Sequence, residues 1–427
     1  MIVAKGPIRV LMVARHYWPH LSSDVASRTV RLADAFARSG IDVELLTPRY
    51  ASSWPDQVCH REIVVHRPAA APRSEWSMGR YLRHLESWLR EHAAQYDVIY
   101  SATMREEAAL VVDAARRANA YSVLHHAGAG SEADTSYVMP QRHRRKAFLA
   151  LQAADAIVVS RASTHQKLLA TGLNPARVHR VAIGITAGPG LAGRDPASRV
   201  RSRQFLGDVN GDLSTHRDTL VVLTLGSMSE SSGLMSLAQT VPELVSRWPD
   251  VRFWMIGDGP LRNDLHRYFK HQGVRQNVAM PGTFVDLTDV LAAADVYVQP
   301  SDNNSLDDFL PQAIAAPLPL VMADGADTRA IVSEYDDCVN WCGESDPLSM
   351  HQAIHRILVD LSPAQVAAER LRRELLRHLP YSETINGFVN LFSRLTGKTI
   401  HAATLPHTES ATRLPPPGVP GRGEWLA

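Results

Sequence analysis

Cysteine is scarce, with three in 427 residues: Cys59, Cys338 and Cys342. So few exclude a disulfide framework. The pair in Cys338-Val-Asn-Trp-Cys342 has no second ligand pair and reads as two ordinary thiols in a reducing compartment, not a zinc clip. Long apolar runs are missing too. No segment reaches the roughly 18 consecutive apolar residues that mark a membrane-crossing helix. Charge of one sign is not in excess; the formal net charge is +1, so no global field selects nucleic acid as a partner. Lys5 and Arg9 interrupt what would be the apolar part of a signal peptide, so the first residues read as the lead-in to a strand and a cytoplasmic protein is expected. What remains is an ordinary globular composition, 45% apolar and 21% charged, in a chain too long for one core.

Short apolar runs alternate with helical stretches. The first set is Val10–Ala14, Ile41–Leu46, Glu62–Val65, Asp97–Tyr100, Ser122–Leu124 and Ala156–Val159. Between its first two members, Arg28–Gly40 repeats apolar residues at three and four and stops at glycine. Nearly continuous apolar strands alternating with helices predict a parallel sheet covered on both faces. The pattern restarts with Leu220–Leu225, Val251–Ile256, Asn277–Ala279, Val296–Val298 and Leu318–Met322. Residues 187–218, rich in Gly, Arg, Ser and Asp, have the composition of a linker. The expected fold class is α/β with two Rossmann-like doubly wound domains, over residues 1–190 and 200–378. Residues 381–396 form a further amphipathic helix, and from about residue 399 the chain reads as a disordered tail.

Ligands of open parallel sheets bind where strands end and turn toward helices. Four such turns carry suitable chemistry. After Val10–Ala14, Ser22 and Ser23 precede a helix whose first N–H groups can hold a phosphate or sugar oxygen, although a plain helix cap accounts for them equally. Leu225-Gly-Ser-Met-Ser-Glu-Ser-Ser-Gly233 repeats the strand, glycine, polar loop, helix pattern. In Met255-Ile-Gly-Asp-Gly-Pro-Leu261 the glycines allow a tight turn and Pro260 suits the first helical position, so structural punctuation explains it fully. The stretch Val298–Ala315 places Asn304 and Gln312 eight apart, at a loop–helix junction and about two turns further on. Both amides donate and accept, which suits sugar hydroxyls. Asp307 and Asp308 read as charges favoured by the helix dipole ahead of acid–base catalysts.

In this order the turns resemble glycosyltransferase family 4. The specific stretches are Ile256-Gly-Asp-Gly-Pro-Leu261, Asn277–Phe284, Leu291–Ser301 and Gln312–Ala315, with looser matches at Ala154–Ser160 and Val181–Ile185. The resemblance runs from about residue 8 to residue 396. It implies the GT-B fold, with an acceptor-side first domain, a second domain holding a nucleotide-sugar donor, and a last helix crossing back onto the first domain. It implies sugar transfer with retained configuration, no cofactor and no metal, so protein groups alone stabilise the departing diphosphate. By the same resemblance, Gly226, Ser227, Ser232, Asn304, Ser305, Leu306 and Gln312 would line the donor, and Ser22 and Ser23 would form the acceptor or phosphate loop. A histidine after the fifth apolar run would face the donor sugar. Leu124-His-His-Ala-Gly128 offers His125 and His126; alternation turns only one toward the cleft, and His126, nearer the carboxyl end, is the expected catalytic residue.

The sequence departs from that pattern where charge is needed most. Ser227 and Ser232 stand where the family usually has Arg and Lys, Asn304 and Gln312 where it has two glutamates, and Ser22 and Ser23 where it has a glycine pair. Losing two cations at a diphosphate forfeits roughly 3–6 kcal/mol, or about 10²–10⁴ in rate. Arg203 and Arg262 are candidates to reach in. Two readings follow: a glycosyltransferase acting on a glycan or lipid-linked acceptor, or a degenerate relative that binds a partner or a glycan without catalysis. The basic run Arg142-His-Arg-Arg-Lys146 reads as a solvated helix face with a lesser claim to anionic membrane contact.

Overall fold

The computed structural model describes residues 6–19, 24–128, 133–138, 145–186, 195–284 and 286–399. Two sheets account for the two apolar series. The first contains β1 (Arg9–Val13), β2 (Asp42–Leu46), β3 (Gln57–His60), β4 (Ile63–His66), β5 (Val98–Ser101), β6 (Tyr121–His125), β7 (Ala156–Val159) and β8 (Val178–Arg180). Its order is β3-β4-β2-β1-β5-β6-β7-β8, parallel except for the β3–β4 hairpin. The second contains β9 (Val221–Leu225), β10 (Arg252–Ile256), β11 (Val278–Ala279), β12 (Val296–Gln299), β13 (Leu320–Ala323) and β14 (Asn340–Cys342). Its order, β11-β10-β9-β12-β13-β14, is the doubly wound arrangement, with the strand order reversing between β9 and β12. The first sheet reverses in the same way between β1 and β5.

Both sheets are buried on both faces, which is why their strands read as continuous apolar runs. In the first sheet, Val10, Met12, Val98 and Tyr100 pack on one side, and Leu11, Val13 and Ile99 on the other. In the second, Leu223, Leu225 and Trp254 face one layer, and Val222, Phe253 and Met255 the other.

The helix Tyr381–Thr396 leaves the second domain and lies on the first, as expected for residues 381–396. Ile385, Phe388, Leu391 and Phe392 join the β1–β5 face, and Phe388 and Phe392 meet Phe36 edge-on at 5.3 and 5.5 Å. Each buried phenylalanine contributes about 1.5–3 kcal/mol. The helix is tied to the chain segment after β8, where Gly184 N–H donates to Thr384 Oγ1 at 2.8 Å.

The linker reading of 187–218 is corrected. Pro196–Val209 is a helix, capped by Asp195 with proline at its start, and it belongs to the second domain. Leu206 enters that domain's core and Arg203 pairs with Asp295 at 2.7 Å. The helix buries arginine and serine, not an apolar stripe, so it lacks the periodic signal that marks helices in sequence. Residues 400–427, read as a tail, lie outside the described residues.

Candidate active site in the interdomain cleft

The carboxyl ends of β1, β5, β6 and β7 face those of β9, β10 and β12 across a cavity of about 520 Å³. That volume lies in the range of small-molecule sites. Its second-domain wall consists of three interlocked turns. Gly226 adopts φ +140°, and a side chain there would collide with the Asn304 amide oxygen. Gly257 at φ +150° leaves room for the Gly226 carbonyl. Met228 N–H donates to the Asp258 carbonyl at 2.9 Å, and Leu261 N–H to the Met228 carbonyl at 2.8 Å. Ser227 N–H donates to Ser305 Oγ at 3.2 Å. The surfaces offered to the cleft include Ser227, Ser229, Gly259, Thr283, Asn303 and Ser305, beside the carboxylates of Asp258, Asp307 and Asp308.

The donor-side candidates therefore divide. Gly226, Ser227 and Ser305 are brought together at the wall, with Ser227 and Ser305 lining it. Asn304 is fully buried behind it: its Nδ2 donates to the Leu225 carbonyl at 3.0 Å, locking the β12 turn to β9. Gln312 turns back on its own helix, donating to the Asp308 carbonyl at 2.7 Å, and does not line the cleft. Ser232 is buried and donates to the Ser229 carbonyl at 2.6 Å, holding the short turn before the helix Leu234–Arg247. Leu306 is core. Arg203 lies inside the second domain, and Arg262 donates to the Met280 carbonyl at 2.6 Å; neither reaches the cavity. Ser22, Ser23 and residues 142–144 lie outside the described residues, as do the side chains of residues 145 and 146.

The positive charge sits on the opposite wall, while the second domain adds the carboxylates of Asp258, Asp307 and Asp308. Arg15, Arg28, Arg105 and Arg161 all come from the first domain. Arg15 is held by Glu107 at 2.8 Å and Glu106 at 2.7 Å; burial opposes its charge, but the two carboxylates more than offset it and raise its pKa. Arg105 donates to Asp134 at 3.0 Å. Asp134 is fully buried, which pushes its pKa up, while N–H groups of Met104 and Ala127 donate to it at 2.7 and 3.0 Å. Arg161 spans the two domains, donating to Asp307 at 2.9 Å and to the Asp302 carbonyl at 2.8 Å. Ser160 and Ser163 reinforce it through Asp307 and Asp327 at 2.7 and 2.6 Å. Asp307 and Asp308 do lie in the first turn of the helix Leu306–Ala315, as the dipole reading expects, but the dipole is only part of their role. Asp307 also clamps the domains, and Arg31 reaches the Asp308 carbonyl at 3.2 Å.

The two histidines have different surroundings. His125 points into the first domain, bonded to the Tyr100 hydroxyl and packed on Phe388 at 5.4 Å. His126 is 6% exposed and adjoins Ala127 and Gly128, which line the cleft. Its Nε2 is buried without a partner among the described residues. Burial, then the charges of Arg161 and Arg28, lower its pKa to about 3, so the ring is neutral at ordinary pH.

Sequence reasoning missed the arginine wall. A usable signal existed for three of its members: Arg15, Arg105 and Arg161 each fall within about four residues of a strand's carboxyl end, where ligands of such sheets bind. Arg28 lies within the helix Asp24–Arg38, and nothing local marks it.

Comparison with known proteins agrees with this geometry. The family model described as Glycosyltransferase Family 4 matches residues 25–187, and that described as Glycosyl transferases group 1 matches residues 219–360. Together they span more than two thirds of the chain. The chain belongs to the family 4 glycosyltransferases. Among family relatives, the lipopolysaccharide core biosynthesis glycosyltransferase LpsE of Rhizobium meliloti (strain 1021) is 26% identical over 181 residues, 42% of this chain and 52% of that protein. LpsD of the same strain, named for the same process, is 23% identical over 203 residues, 47% of this chain and 57% of its own length. The chain thus spans little more than half of the curated relatives it matches. The Anabaena protein HepE, solved in complex with UDP and glucose, superposes with a TM-score of 0.69 at 16% identity, covering 90% of this chain and 99% of its own. That likeness establishes the GT-B fold.

Proposed function

We propose that this protein transfers a sugar from a nucleotide-diphosphate sugar to a glycan or lipid-linked acceptor, with retained configuration and without a cofactor or bound metal. One observation carries the reading: a cleft of nucleotide-sugar size with hydroxyls and backbone turns on the second domain and arginines on the first, where the neutral His126 ring is buried behind the lining residues Ala127 and Gly128. Ser227, Ser229 and Ser305 suit diphosphate and sugar oxygens on the donor side. The N-terminus of the helix Leu306–Ala315 adds a favourable dipole. The neutral His126 ring is suited to a hydrogen bond with a sugar hydroxyl, not to donating a proton as an acid. Leaving-group stabilisation falls to preorganised protein groups, whose removal typically costs 10²–10³ in rate. The names of LpsE and LpsD support a lipid-linked saccharide as acceptor class. In keeping with such an acceptor, the basic run at residues 142–146 would make peripheral contact with an anionic membrane.

The test is release of nucleoside diphosphate from UDP-, GDP- and ADP-sugars when an acceptor saccharide is added. Acceptor-dependent release with one donor is expected; none with any donor, from folded protein, overturns the proposal. The internal bonds of Asn304 and Gln312 favour a second reading, a degenerate relative that binds a partner. That reading requires no measurable nucleotide affinity by calorimetry, and saturable binding of a nucleoside diphosphate rejects it.

A further inference from the structure

Arg28 differs from every other arginine of the cleft. Arg15, Arg105 and Arg161 each hold a carboxylate at 3.0 Å or less, and the neighbouring Arg31 lies 3.9 Å from Asp308. Arg28 is 4% exposed and lines the cavity, yet it forms no ion pair among the described residues. Its one hydrogen bond there runs from an Nη to the Ala102 carbonyl at 3.2 Å. Burial opposes its charge, but the surrounding Asp308, Tyr100, Asp307 and Asp134, Asp308 foremost, more than offset it and raise its pKa; Asp308 Oδ1 is buried with no hydrogen bond among the described residues and lies 3.9 Å from Arg31. An unpaired buried cation is costly to maintain. A guanidinium presents several N–H donors in a flat fork that matches a phosphate group. Most of that fork has no hydrogen bond among the described residues, and it lines the same cavity as Ser227, Ser229 and Ser305 of the other domain.

We propose that Arg28 is the phosphate-binding residue of the cleft, a cation supplied by the first domain that pairs with the ligand's phosphate in place of a protein carboxylate. This rests on the sugar-transfer reading only for the ligand's identity, since the chemistry named is a phosphate group. Two sources supply it: the diphosphate of the donor, or a phosphate on the acceptor. In either case the ligand bridges the domains, because its oxygens face serines on one wall and Arg28 on the other.

The experiment is calorimetric titration of the full chain, wild type, Arg28→Lys and Arg28→Gln, with pyrophosphate, UDP, GDP, glucose 6-phosphate and uridine. Wild type is expected to bind at least one of the phosphorylated probes and to bind uridine far more weakly. Arg28→Gln is expected to weaken that binding at least about tenfold, with Arg28→Lys in between. Dependence on Arg28 for pyrophosphate or a nucleoside diphosphate assigns it to the donor; dependence for glucose 6-phosphate alone assigns it to the acceptor. Wild-type binding of no phosphorylated probe, or equal binding by Arg28→Gln, overturns the proposal. Thermal unfolding without ligand separates this role from a structural one. For a ligand-binding arginine the unfolding temperature of Arg28→Gln stays close to that of wild type, whereas a clear fall, or failure to fold, identifies a structural arginine and also overturns the proposal. No arm requires turnover, so Arg28-dependent phosphate binding in a protein that transfers no sugar would retire the activity and keep the site. The converse would retire only the site.

Discussion

Asn304 holds the donor wall together from behind. Its amide bonds the carbonyl at the end of β9, and Gly226 has no side chain because the Asn304 oxygen occupies that space. Asn304→Ala leaves the buried Leu225 carbonyl unpaired, and the expected loss is about 1–3 kcal/mol, read as a lower midpoint in chemical denaturation. Wild-type stability in this variant would show that the amide is not structural. His126 makes a pH-dependent contribution of definite sign. Its pKa is about 3 in the folded chain against an ordinary 6.5, chiefly through burial. Above about pH 6.5 the ring is neutral whether folded or not. As pH falls toward 3, the unfolded chain takes up a proton that the folded ring refuses, so stability falls by about 1.4 kcal/mol per pH unit from this group. His126→Gln is expected to flatten the stability–pH curve between pH 6 and pH 4 by about one proton, and an unchanged slope would place the ring in contact with solvent. At this scale the sequence was a partial guide. Alternation separates the surroundings of His126 and His125, although both rings are buried, and no local pattern tells that Asn304 faces inward or that Arg28 forms no ion pair among the described residues. Those facts arise from residues far apart in sequence.

The helix Leu306–Ala315 does more than close the donor turn. Its first turn meets Arg161 and Arg31, so the element that would support the ligand is also the element that clamps the domains. The Arg161–Asp307 pair is largely buried, at 9% and 14% side-chain exposure. Breaking such a pair by removing one charge costs about 3–5 kcal/mol. Asp307→Asn keeps the shape and removes the charge. It is expected to shift the domains toward an open arrangement, seen as a larger radius of gyration in small-angle scattering; an unchanged radius would show that the remaining contacts suffice. Most elements were legible from periodicity, because long buried strands and amphipathic helices carry strong signals. The misses have physical reasons. β3, Gln57–His60, is an antiparallel edge strand with a mostly exposed pattern, and β8 and β14 span three residues each. The helix Pro196–Val209 buries polar side chains, and only its Asp-Pro start announces it.

For the molecule as a whole, the two domains divide the work unequally. The second supplies turns, hydroxyls, carboxylates and a helix dipole; the first supplies the positive charge. The twofold βα pattern made this architecture readable from the chain alone, whereas the exchange of charge across the cleft exists only once the domains face each other. Any ligand held this way binds both walls and stabilises the native state by mass action, about 2.7 kcal/mol at a hundredfold excess over its dissociation constant. The most direct measurement is amide hydrogen exchange of the wild-type chain with saturating UDP, GDP and ADP in turn. With at least one nucleotide, slowed exchange is expected on both walls together: at residues 226–229, 257–260 and 302–305 of the second domain, and at 102–105 and 126–128 of the first. Unchanged exchange with all three, or protection confined to one domain, would contradict a nucleotide diphosphate held between them.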